Sequence, residues 1–190
     1  MKETLHPQFE KIYNQNRRDI YLYLKYFTLN EEDALDLTQD TIVSFIRYFE
    51  TRKLPESLID CRKILFRIAR NLALNKIKRS KQNISLDRND LSPEKLNISL
   101  ADTSPGNDAY RRLLKNDRDE FVWKILGSLD ENYRSALLFR YMQEMSLEDI
   151  ADIMELSISV VSRLIERAKR HFVIQMNEKG IEKDILFENE

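Results

Sequence analysis

The chain has 190 residues, of which 31 are basic and 32 acidic, leaving a formal charge of -1 and excluding a generally cationic coat. Its 42% hydrophobic and 33% charged residues are those of a globular protein, and 3 Gly with 4 Pro are too few for the tight turns of a sheet-rich fold. The single Cys61 and two distant histidines, His6 and His171, argue against an internal disulfide and a structural zinc site, and no apolar run approaches the ~18 residues of a membrane span. The N-terminal MKETLHPQFEK lacks the apolar segment of a secretory signal. The expectation is an all-α protein of the cytoplasm, without membrane insertion, cofactor or metal, built from two small helical domains. A flexible acidic linker joins them.

Charge is strongly segregated along the chain. Residues 31–40 hold five acids and no base, residues 62–81 hold eight bases and no acid, and residues 163–171 return to net +3. Such alternation fits separate surfaces with different partners, although charge runs can also simply solvate a face. The clearest break in composition is 82–108, polar, rich in Asn, Asp and Ser, and without helical periodicity. It divides a first domain, 1–81, from a second, 109–176, with 177–190 as a C-terminal tail.

In chain order, a first helix over about 7–27 carries the apolar stripe Phe9, Ile12, Tyr13, Ile20, Leu24 and Phe27. Asn30 then offers an N-cap, with Asp33 at the capping-box position. Behind it Ala34, Leu37, Thr38, Thr41, Ile42, Phe45, Ile46 and Phe49 make one inward face, leaving Asp36, Gln39, Asp40 and Val43 off it. Residues 50–60, with Pro55, form a loop. In a third helix, about 61–80, Cys61, Ile64, Leu65, Ile68, Ala69 and Leu72 cluster on one side. Lys63, Arg67, Arg70, Lys78 and Lys81 cluster on the other, with Asn71 at the edge. Phosphate contact is a natural use for that stripe, and an anionic membrane surface or plain solvation are its alternatives.

The second domain opens with a helix of about 109–127, and Asp130 can cap the next, about 131–142. Ser146 and Asp149 make a capping box for a short helix of about 147–154, with Ile150, Ala151 and Met154 inward. Glu155 occupies a turn position where positive φ favours Gly. Ser157 can start a longer helix burying Val161, Leu164, Ile165, Ala168 and Phe172 while presenting Ser159, Ser162, Arg163, Glu166, Arg167 and Arg170. This is the pattern of a helix-turn-helix, whose second helix lies in a DNA major groove, and which small helical bundles can mimic. Arg can read guanine edges there and Glu a cytosine amine.

Three stretches, in order, resemble the extracytoplasmic-function (ECF) sigma factors of bacterial RNA polymerase: EDALDLTQDTIVSF at 32–45, LFRIARNLALNKIKRS at 65–80, and LDENYRSALLFRYMQEMSLEDIADIMELSISVVSRLIERAKRHF at 129–172. The resemblance implies a non-enzymatic specificity subunit that binds core RNA polymerase and promoter DNA, with an anti-sigma factor as a further expected partner. It implies polymerase contact by Asp36, Gln39 and Asp40. Contact with the −10 element falls to Lys63, Arg67, Arg70, Asn71, Lys78 and Lys81, and contact with the −35 element to Ser159, Ser162, Arg163, Glu166, Arg167 and Arg170. The loop around Pro55 corresponds to one that captures a flipped base. The recognition helix departs from the family, which often has Gly-Thr-Val-Lys-Ser-Arg where this chain has Ser159, Val160, Val161, Ser162, Arg163 and Leu164. Its promoter is therefore not to be copied from a generic member. Two other readings remain on the residues alone: a free-standing helix-turn-helix regulator, and a helical adaptor without promoter activity.

Overall fold

The computed structural model describes residues 7–86 and 117–178, with side chains over 9–82 and 122–177. Among these residues every regular element is helical: α1 (Pro7–Thr28), α2 (Glu31–Phe49), α3 (Leu58–Leu86), α4 (Asp117–Ser128), α5 (Glu131–Leu137) running on into a π-helical turn (Leu138–Met142), α6 (Leu147–Met154) and α7 (Ile158–Glu178). The expected helix over 109–116, most of the expected linker and the tail beyond 178 lie outside the described residues.

The first three helices form one bundle. Ile12, Ile20, Leu24 and Phe27 of α1 are buried against Ala34, Leu37, Phe45 and Phe49 of α2, and against Cys61, Leu65, Ala69 and Ala73 of α3. Burial pushes the Cys61 thiol up, with the nearby Asp60 charge adding to the effect, so this cysteine is a small core side chain. Thr38 and Thr41 bury their hydroxyls by donating to the carbonyls of Ala34 and Leu37, both at 2.6 Å.

Two expectations need correction here. Asn30 caps α2, accepting from the Asp33 N–H at 3.0 Å, but the box is only half closed: the Asp33 carboxylate pairs with Lys76 of α3, and the Asn30 N–H donates to Thr28 Oγ1. A tertiary cation has won it from the local backbone. The third helix is also longer than its periodicity suggests, starting at Leu58 and running to Leu86, into the composition expected of the linker. Polar residues carry no apolar stripe, yet they extend a helix already nucleated.

The second bundle packs α4, α5, α6 and α7 around Ile125, Leu126, Leu137, Ile150, Met154, Val161, Ile165, Ala168 and Phe172. Ser146 caps α6 by accepting from the Asp149 N–H at 3.1 Å and donates to Asp149 Oδ2 at 2.9 Å. Glu155 takes φ 57° and ψ 43°, the left-handed turn its position called for.

The bundles meet across a shared apolar centre. Tyr23 of α1 stacks on Phe139 of the π-helical turn with centroids 4.6 Å apart, and Phe66 of α3 meets both rings edge-on. All three side chains are fully buried. Trp123 is half-buried at this seam, 5.5 Å from Tyr26 of α1. Aromatic residues of both bundles complete one shared core here.

Candidate nucleic-acid and protein-docking interfaces

Three surfaces carry the residues singled out in the sequence. On the outer side of α2, Asp36, Gln39 and Asp40 are exposed together. Flanking them, Leu35 and Val43 are also exposed, at 51% and 45%. Leu35 was not singled out, because it sits among acids and off the core stripe; an apolar side chain in that position was the available signal. Acids around two open aliphatic side chains are the wrong charge for a nucleic-acid face and have the chemistry of a protein contact.

On α7 the register is as anticipated. Val161, Ile165, Ala168 and Phe172 are buried, Leu164 is half-buried, and Ser159, Arg163, Glu166, Arg167 and Arg170 are exposed. Ser162 is half-buried. Arg163 Nε donates to the Ser159 carbonyl at 3.2 Å, which holds its base along the helix. The α6–turn–α7 unit thus offers a helix with a charged and hydroxylated outer face, of the size a major groove admits.

The third surface, the basic stripe of α3, is not open along its length. Asn71 and Lys78 are exposed, but Arg70 is only 8% exposed and Lys63 and Arg67 are half-buried. Lys63 Nζ lies 3.1 Å from Asp152, 3.7 Å from Asp149 and 3.2 Å from Asp60. Hydrogen bonds to Asp152 and then Asp60 raise its pKa. Arg67 Nη2 donates to the Asp152 carbonyl at 2.6 Å, and Nη1 lies 3.9 Å from Glu155. Arg70 donates to Asn132 Oδ1 and Lys81 to Glu131, both at 2.6 Å. Burial works against the Glu131 charge, but the Lys81 hydrogen bond, a backbone hydrogen bond and the Lys81 and Arg134 charges outweigh it and hold the carboxyl below its usual range. Helical periodicity had placed Arg70 at the surface. A second domain lies across that face, and the pattern of one helix contains no trace of it.

Among the described residues, no group of three or more His, Cys, Asp or Glu side chains could hold a metal ion, and no helix is long and apolar enough to cross a membrane.

Residues 122–172, the unit carrying the α6–turn–α7 geometry, match the family Sigma-70, region 4. The chain is 25% identical over 162 residues to the ECF RNA polymerase sigma factor SigM of Bacillus subtilis, covering 85% of this chain and 90% of that protein. It is 28% identical over 160 residues to the RNA polymerase sigma factor YlaC of the same organism, covering 84% and 87%. Two solved structures share the fold: the sigma factor RpoE of Bartonella quintana in complex with the anti-sigma factor NepR (TM-score 0.67, 18% identity, 90% and 98% of the two chains) and CnrH in complex with the cytosolic domain of CnrY (TM-score 0.64, 19% identity, 93% and 92%). With the helix-turn-helix, the acidic outer face of α2 and the basic helix α3 arranged in that fold, the chain is similar to ECF RNA polymerase sigma factors over most of its length.

Proposed function

We propose that the protein binds core RNA polymerase and directs promoter recognition and transcription initiation. The observation that carries this reading is the match of 122–172 to Sigma-70, region 4, on a helix-turn-helix whose outer face exposes Arg163, Glu166, Arg167 and Arg170. In this reading α7 enters the major groove of the −35 element, where the arginines address guanine edges and phosphates and Glu166 a cytosine amine. The stripe of α3, with Asn71 and Lys78, faces the −10 strand. The α2 face, Asp36, Gln39 and Asp40 with Leu35 and Val43, docks on core. The chemistry of RNA synthesis belongs to the polymerase, and this chain supplies placement. An anti-sigma partner belongs to the same reading, since both RpoE and CnrH were captured with a partner chain.

The deciding experiment is co-elution of the purified chain with bacterial core RNA polymerase on a sizing column. An Asp36→Ala/Gln39→Ala/Asp40→Ala variant runs beside it. The wild type is expected to travel with core and the variant to lag behind at unchanged helicity, because all three side chains are exposed. A folded wild type that never associates with its cognate core overturns the reading and leaves the free-standing regulator.

A further inference from the structure

Beside its charged outer face, α7 carries an apolar feature that hydrogen bonding to base edges does not use. Val160, Arg163, Leu164 and Arg167 recur at i, i+3, i+4 and i+7, so they share one side of the helix. Together they line a notch of about 240 Å³, open on one side. Val160 and Leu164 are half-buried and form its aliphatic part, while the exposed Arg163 and Arg167 bring guanidinium groups. Leu164 packs at the edge of the core, whereas Val160 stands outside the core cluster. Burial of Val161, Ile165 and Ala168 fixes the register of α7, and that register sets Val160 beside the outer face.

We propose that Val160 and Leu164 accept the 5-methyl group of a thymine in the −35 element, beside the bases that Arg163 and Arg167 address. The proposal rests on the sigma-factor reading and names a base read at the same site. The thymine methyl is the apolar group that a base edge presents in the major groove, and an aliphatic pair on the helix that enters the groove is its natural complement. The two guanidinium groups give the notch a cationic border, which suits a methyl set among phosphates and guanine edges. Arg163 Nε, donating to the Ser159 carbonyl at 3.2 Å, ties that side chain back along the helix. Both aliphatic residues also stand where this helix departs from the run common in the family, Val160 in place of Thr and Leu164 in place of Arg. Thr and Arg would present hydrogen-bond donors there, and Val and Leu present none. The departure therefore exchanges two polar contacts for one apolar readout.

The test uses the full chain assembled with core RNA polymerase. Duplexes are selected from a promoter library randomised across the −35 segment, and each thymine of the selected segment is then replaced singly by deoxyuridine. That exchange removes one methyl and leaves the base-edge hydrogen bonds in place, so the ratio of the two dissociation constants isolates the methyl. The ratio is measured for wild type, Val160→Thr and Val160→Ala. Ile174→Thr, at an exposed aliphatic position further along α7, is the control. Each ratio compares two DNAs on one protein, so a general loss of stability or affinity cancels.

The wild type is expected to lose about fourfold in affinity at one thymine position, the worth of one buried methyl. Val160→Thr and Val160→Ala should both shrink that ratio towards one, while Ile174→Thr keeps it. A selected segment without thymine, thymines that all tolerate deoxyuridine, or a ratio that both Val160 variants leave unchanged each overturns the proposal. Tolerance of deoxyuridine together with weaker co-elution of Val160→Thr with core would overturn it in favour of a polymerase contact at the notch. Failure of the wild type to join core would instead overturn the sigma-factor reading, and the same ratios on duplexes selected with the free chain would still decide whether the notch reads a methyl.

Discussion

Arg134 is 7% exposed, and its guanidinium is shared among carbonyls of both bundles: Leu126 at 2.7 Å, Gly127 at 3.1 Å, Leu129 at 3.0 Å and, from the end of α1, Phe27 at 2.6 Å. Burial lowers its pKa while the Glu131 and Asp130 charges oppose that, and a guanidinium stays charged regardless. Removing it leaves buried carbonyls without donors, so Arg134→Met is expected to destabilise by on the order of 3 kcal/mol or more in urea unfolding. Arg134→Lys should recover only part, because an ammonium cannot span the same fork. At the edge of the seam Glu131 makes a pH prediction. A carboxyl whose pKa is lowered on folding stabilises above its unfolded value of about 4.3, and that contribution fades as pH falls through the lower folded value. The melting-temperature gap between wild type and Glu131→Gln should therefore be widest near neutrality and close below about pH 4.

At the scale of the element, the chain ends several helical segments without glycine. Leu29 (φ 59°) follows α1, Glu144 (φ 52°) follows the π-helical turn, and Glu155 (φ 57°) follows α6. In each case the next residues or the turn residue itself return a backbone N–H to the preceding helix: Leu29 to Lys25, Met145 to Phe139 and Leu156 to Ala151. Those hydrogen bonds offset the left-handed cost of a Cβ. Glu155→Gly keeps the turn and relieves that cost, so it is expected to raise stability by about 1 kcal/mol, read as a shift of the urea midpoint. The loss of the long Arg67–Glu155 pair, 3.9 Å and largely solvated, subtracts little from that.

For the whole molecule, the seam between the bundles matters more than either bundle alone. Because Tyr23, Phe66 and Phe139 are buried by one another across it, unfolding should be a single calorimetric transition rather than one per domain. Phe139→Ala empties the middle of the stack. It should cost about 3–5 kcal/mol and split that transition in two, as the bundles lose their common core.

Much of this was legible in order of residues. The stripes Ala34–Leu37–Phe45 and Val161–Ile165–Ala168 marked their buried faces because each helix packs on its own domain, where a period of 3.6 is the whole signal. The cap at Asn30, the cap at Ser146 and the left-handed turn at Glu155 were equally visible, since capping is settled within a few residues. The three motifs, read in sequence, also carried the resemblance to ECF sigma factors. What only the tertiary structure decided is the fate of side chains that answer to distant partners. Asp33 turned to Lys76, Arg70 went under Asn132, Lys63 among the acids of α6, and Trp123 to Tyr26. Each of those choices sets two helices far apart in sequence against each other. A polar stripe on one helix has the same pattern whether it meets water, DNA or another domain of the same chain.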